Sequence, residues 1–176
     1  MNFDYFLFQK INNLANQSVL MDKIGIFFAQ YLIYFLVLLT LGFVIYSLRR
    51  NKNWKLLWQS LLTVVLSRLV ITELIRFFWH RPRPFLVESV HQLTAHTPSG
   101  SFPSGHLAFL FALAAVIYFN SKSVPSGRQV GWLLFAGGFL VGLGRIFVGV
   151  HYPLDILAGI FIGFLSAWLV KKFIIK

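Results

Sequence analysis

Long apolar stretches alternate with short polar connections along this chain. Residues 24–48 carry no charge over 25 positions. As a helix that run is about 37 Å long at about 1.5 Å per residue, enough to cross a hydrocarbon core of about 30 Å with some tilt. Apolar runs at 56–78, at 107–119 opening near Ser104, from 130 to 144 or a little beyond, and at 154–170 predict four further spans. The expected fold is all-α: a polytopic bundle of about five transmembrane helices in a single membrane domain, residues 1–176. Ahead of it, Phe3, Phe6, Leu7, Ile11 and Leu14 stand at helical spacing in a segment too short to span. That segment predicts a helix lying in the interface, aromatic side inward, with a weakly bound tail as the alternative. Gly138 with Gly142, and Gly159 with Gly163, have the spacing that lets helix backbones approach closely in lipid, although incidental glycine would read the same.

Composition places these helices in a bilayer, because 57% of residues are hydrophobic and only 12% charged. A net charge of +11 could point to nucleic acid, but the sixteen Lys and Arg are scattered between uncharged runs instead of forming one stripe. They read better as topology signals. Arg49, Arg50, Lys52 and Lys55 follow the first span, Lys122 and Arg128 the third, and Lys171, Lys172 and Lys176 the last, which predicts a cytoplasmic C-terminus. The 79–103 loop and the 145–153 turn then share the outer face. Asp4 and Lys10 break the first apolar segment, so no cleaved signal peptide is expected, and the absence of cysteine excludes disulfides and thiolate chemistry.

Ionisable groups inside the apolar runs cost roughly 2.5–3.5 kcal/mol each on insertion scales and need a reason. Arg68 and Glu73 are five apart, not an ideal helical pair, and read as a structural polar contact, with a direct role as the minor alternative. Arg145, His151 and Asp155 interrupt the 130–170 region. Pro153 suits a first helical turn, which puts the Asp155 carboxylate within reach of the His151 imidazole four residues back. A histidine held by a carboxylate beside an arginine is a unit that handles phosphate. Arg76, Arg81 and Arg83 lie around Pro82 and Pro84, and planar guanidiniums on stiff backbone suit phosphate oxygens. In FPSGH, residues 102–106, a helix opens at Ser104 and Gly105, so unpaired N–H groups and the helix dipole form an anion site beside His106. Ser104 can cap that helix and touch phosphate as well. Arg81 reads equally as a snorkelling charge or a substrate ligand, and His80, His91 and His96 as interfacial side chains. With five histidines, five acidic residues and a cation-rich cluster, no metal or other cofactor is expected.

Arg76, six residues, Arg83 and Pro84, then PSGH at 103–106, then Arg145, five residues, His151, three residues and Asp155 together resemble the three-part signature of the type 2 phosphatidic acid phosphatase (PAP2) superfamily. The signature covers about 80 residues in order, and departs from the family where Arg76 replaces its usual lysine, which leaves either Arg76 or Arg81 to fill that role. The resemblance implies a metal-independent phosphatase in which His151 attacks phosphorus, Asp155 fixes its tautomer, and His106 serves the leaving group and then water. It assigns Arg76, Arg83, Arg145, Ser104 and the Gly105 amide to the phosphate oxygens. Within the superfamily the lead-in at 7–24 and the outward site are most similar to the bacitracin-resistance type of undecaprenyl-diphosphate phosphatase. The implied substrate is a lipid phosphate or diphosphate in the membrane. A phosphatidylglycerophosphate or phosphatidate phosphatase, and a catalytically silent transporter subunit, are the alternatives.

Overall fold

A computed structural model describes residues 3–122, 124 and 126–174; Ser123 and Lys176, the latter counted among the basic tail, lie outside them. The described residues form helices and connecting loops. Helix α1 is Phe3–Asn12. The first span, α2, is Val19–Asn51. Trp54–Val64, Val65–Ile71 and Thr72–Phe78 run end to end as α3, residues 54–78. A single turn, α4, is Pro84–Val87, followed by α5 at Gly105–Phe119, α6 at Gly127–Phe147 and α7 at Pro153–Ile174. The expected helices are all present, each longer at one or both ends by a few residues except α5.

Helices α2, α6 and α7 are long and apolar enough to cross a membrane. Helix α5 reaches only about 22 Å at about 1.5 Å per residue, and it is the axis of the bundle. Its residues from Leu107 to Ile117 are buried except Phe109, as expected of a helix apolar on all sides. It packs against α7, α6, α3 and α2. The closest approach is to α7: a Cβ at Gly159 would lie 2.5 Å from the Ser104 carbonyl, and one at Gly163 would lie 2.7 Å from the Ala112 amide. The second GxxxG pair is therefore a backbone-to-backbone seam, and it draws the start of α5 against the start of α7, where Ser104 N–H donates to Asp155 O at 2.9 Å.

Wide π turns occur in α2 at Phe27–Tyr31 and in α3 at Val65–Ile71. A π turn brings residues five apart onto one side, and this is why Arg68 and Glu73 form an ion pair although an α-helix would not align them. Thr72 Oγ1 donates to Ser67 O, also five residues back, at 2.7 Å.

Helix α1 faces the opposite way from its aromatic periodicity. Asp4, Phe8 and Asn12 are its buried residues, whereas Phe3 and Phe6 are exposed. Polar anchoring overrides the apolar pattern here: Asn12 Nδ2 donates to His91 O at 2.9 Å and Phe147 O at 2.8 Å, and Asn12 Oδ1 accepts from His91 N at 2.9 Å. The helix thus ties the 79–103 loop to the end of α6. At the far end of the bundle, Lys171 donates to Phe119 O and lies within electrostatic reach of Lys55 and Lys122, so the basic connections gather on one side.

Candidate active site

The site forms at the end of the bundle opposite those lysines, where the starts of α5 and α7 meet the end of α6. Pro153 opens α7, and Asp155 in its first turn is fully buried. One carboxylate oxygen, Oδ2, accepts from Tyr152 N at 2.9 Å and contacts His151 Nδ1 at 3.3 Å. The i, i+4 contact expected from the sequence is present because the N-terminal turn has no helical acceptor for the Tyr152 amide, and the carboxylate supplies one. With Nδ1 donating to Asp155, the His151 Nε2 lone pair is turned into the site.

Arg83 faces that lone pair, and Arg145 and Arg76 lie within electrostatic reach of the ring. Arg83 Nη1 lies 3.2 Å from His151 Nε2 and donates to Val150 O at 2.9 Å, while its Nη2 donates to Ser99 Oγ at 3.2 Å. Arg145 Nη1 donates to Ala29 O, in the π turn of α2, at 3.0 Å. Arg76 Nη2 donates to Pro103 O at 3.0 Å, which fixes the end of α3 beside the strand of chain that enters α5. The Nε atoms of Arg76, Arg83 and Arg145 and the Ser104 hydroxyl are buried without a protein partner. Ser104 precedes α5 yet makes no side-chain cap, so the capping expectation fails and its hydroxyl remains free.

Burial pushes the His151 imidazole well below its usual range, and Arg145 and Arg83 push the same way. Burial also lowers the Arg83 guanidinium to about 10, with Arg76 adding to the effect, which leaves it charged at neutral pH. The site thus combines a neutral imidazole with fixed positive charge.

Two residues enter the site that the sequence reading placed elsewhere. His96, read as interfacial, lies 3.1 Å from Arg145 Nη2 through Nε2, with its ring edge-on to His151. Burial first, then Arg83, brings it down to about 4, so it stays neutral. Asp4 is the second. Arg81 Nη1 donates to the outer Asp155 oxygen, Oδ1, at 2.9 Å, and its Nη2 donates to Asp4 Oδ2 at 2.6 Å. Asp4 Oδ1 accepts from Leu154 N at 2.9 Å, and the Arg81 guanidinium stacks 3.9 Å over the Tyr152 ring. Arg81 is therefore clamped between two carboxylates, on the far oxygen of Asp155 from His151. Neither role was marked by local sequence, since both depend on contacts across more than 45 positions.

Gly105 and His106 occupy the first turn of α5. His106 is half-buried and lies within electrostatic reach of Arg145, His151, His96 and Arg68. His80 is exposed, and His91 is bound by Asn16 Nδ2 at 3.0 Å. Behind Arg81, an apolar groove of about 670 Å³ runs along α7 between Trp79, Phe102, Leu157 and Phe161. No group of three or more His, Cys, Asp or Glu side chains able to hold a metal occurs among the described residues.

Residues 56–176 match the family described as the PAP2 superfamily. The chain is 29% identical over 170 residues to "Undecaprenyl-diphosphatase BcrC" of Bacillus subtilis, covering 97% of this chain and 83% of that one. It is 33% identical over 169 residues to "Bacitracin transport permease protein BcrC" of Bacillus licheniformis, covering 95% and 77%. Among solved structures, that of Aquifex aeolicus LpxE superposes with a TM-score of 0.76 at 29% identity, covering 98% of this chain and 97% of that one. With the three-part signature folded into one buried site and the family match spanning it, the chain belongs to the PAP2 superfamily and is a multi-pass membrane lipid phosphatase.

Proposed function

We propose that the enzyme removes the terminal phosphate of an isoprenoid lipid diphosphate, converting undecaprenyl diphosphate to undecaprenyl phosphate, at the outer membrane face. The observation that carries the chemistry is the His151 imidazole, held by Asp155 at Nδ1 and faced at Nε2 by the Arg83 guanidinium. Anion binding alone does not need such an imidazole, which argues against a silent transport subunit even though the Bacillus licheniformis relative is named a permease. The substrate follows the name of the Bacillus subtilis relative.

In the proposed reaction His151 Nε2 attacks the terminal phosphorus, the bond from phosphorus to the bridging oxygen breaks, and a phosphohistidine forms. Arg83 gives up its contact with Nε2 to a phosphate oxygen. Arg76 and Arg145, whose Nε–H groups lack partners, together with the Ser104 hydroxyl and the Gly105 amide, hold the others as charge builds. Asp155 supports the positive ring. His106 protonates the leaving oxygen, then takes a proton from the water that breaks the phosphorus–nitrogen bond and releases phosphate. Arg76 takes the family's lysine role, because both Arg81 Nη groups are engaged by carboxylates. Every charge the reaction stabilises is met by side chains, so no metal is required.

Purified protein in detergent with EDTA, offered C55 diphosphate, phosphatidylglycerophosphate and phosphatidate, tests this directly. The highest kcat/KM is expected for the diphosphate. Preference for either monoester, or a need for added magnesium, defeats the reading.

His151→Ala is expected to reduce turnover to background and to form no covalent phosphoenzyme, whereas His106→Ala loses about 100- to 10,000-fold, the range of general acid–base help. Acid-quench trapping of labelled phosphate decides the assignment; label held in His151→Ala but absent in His106→Ala would reverse the two roles.

Asp4→Asn is expected to lower kcat about 10-fold with KM changed less than about 2-fold, the worth of a hydrogen bond between charged groups acting through Arg81 on Asp155. Asp4→Glu should restore part of it, and an unchanged kcat would show that the clamp serves folding only.

The orientation is tested in a chain that has no cysteine of its own. Thr97 is exposed and leaves the Ser99–Arg83 contact intact. Thr97→Cys should react with an impermeant thiol reagent in intact cells and Lys122→Cys should not; the opposite pattern inverts the topology.

A further inference from the structure

Arg68 is a guanidinium within a membrane span, and its surroundings do not balance it. Its ion pair with Glu73 accounts for one negative charge, but Glu73 Oε1 also accepts from Arg76 Nη1 at 3.3 Å. The three side chains together therefore keep one positive charge at a depth where charge is costly. The pair is also incompletely enclosed by protein, with side-chain exposures of 34% for Arg68 and 47% for Glu73.

Its position relates it to the chemistry. A Cβ at Gly105 would lie 2.7 Å from Arg68 Nε and 3.1 Å from its Cζ. The missing side chain is what allows the guanidinium to lie against the first turn of α5, next to Ser104 and His106. Arg68 acts electrostatically on His106, whereas the groups acting most strongly on His151 are Arg145, Arg83, His96 and Arg76. It therefore stands on the side of the group that serves the leaving oxygen. Its backbone lies about 12 Å from that of Arg76 along α3, at about 1.5 Å per residue, while the two guanidiniums meet on the same oxygen, Glu73 Oε1.

We propose that Arg68 binds the second phosphate of a lipid diphosphate, the one that stays on the lipid after cleavage. This rests on the diphosphatase reading above. A phosphate monoester leaves as an alcohol and needs chiefly a proton. When the anhydride bond breaks, its electron pair stays on the bridging oxygen, so negative charge grows on the departing lipid phosphate. A planar guanidinium there meets that charge with two N–H groups. Glu73 holds the fork in place when no substrate is bound, and the phosphate takes over its position, while Glu73 keeps its contact with Arg76. The sequence offered Arg68 and Glu73 chiefly as a structural contact, with a direct role as the minor alternative; the π turn and Gly105 turn the pair into a subsite.

The test compares inhibition by methylenediphosphonate, which carries two phosphorus groups and cannot be hydrolysed, with methylphosphonate, which carries one, against whichever lipid the unaltered enzyme turns over. Arg68→Gln should raise the inhibition constant of the diphosphonate about 10- to 100-fold, the usual worth of hydrogen bonds to a charged group, and shift that of the monophosphonate less than about 2-fold. Glu73→Gln should leave the preference for the diphosphonate intact or increase it. Arg68→Lys keeps the charge but loses the fork, and should show the same selective weakening if the Gln variant does not accumulate. Equal shifts for both inhibitors, or a shift for neither, overturn the proposal. If the unaltered enzyme fails to cleave C55 diphosphate, the diphosphatase reading falls; if it cleaves it and Arg68→Gln weakens both inhibitors alike, only the subsite falls.

Discussion

The Asp155 carboxylate is the interaction on which the rest of this site depends. It is fully buried and serves three donors: the Tyr152 amide, His151 Nδ1 and Arg81 Nη1. The first contact starts α7, the second orients the imidazole, and the third reaches through Arg81 to Asp4 and fastens α1 to the site. Removing one partner of such a buried pair leaves an uncompensated charge, typically at a cost of about 3–5 kcal/mol. Helix start, imidazole orientation and the docking of the N-terminal helix are thus one electrostatic arrangement.

The guanidiniums follow a different logic. Arg76, Arg83 and Arg145 are held by backbone carbonyls of Pro103, Val150 and Ala29, acceptors that position a cation without neutralising it. Carboxylates pair mainly with other arginines: Asp4 and Asp155 take Arg81, and Glu73 takes Arg68 and part of Arg76. Net positive charge is concentrated around His151 Nε2, where it favours a phosphate and keeps the imidazole unprotonated. The same distribution explains why the site has no clustered carboxylates with which to bind a divalent ion.

Backbone geometry does as much as side chains. Gly159 and Gly163 let α7 lie directly on α5, which brings Ser104, His106 and Asp155 within one small volume. The π turns in α2 and α3 work locally, one placing Ala29 under Arg145 and the other aligning Arg68 with Glu73.

Apolar run lengths, basic connections and the spacing of the three signature segments determined the all-helical membrane bundle and the His151–Asp155 contact. These follow from the sequence because each rests on helical period, bilayer thickness or neighbours within one turn. The inward face of α1, the clamping of Arg81, the arrival of His96 beside Arg145, the uncapped hydroxyl of Ser104 and the alignment of Arg68 with Gly105 were decided by the tertiary structure alone. Asp4 lies 77 positions from Arg81 and 150 from Leu154, and no local pattern encodes those contacts. They exist because a polar group buried in a bundle must find a partner wherever packing brings one, and packing is a property of the whole chain.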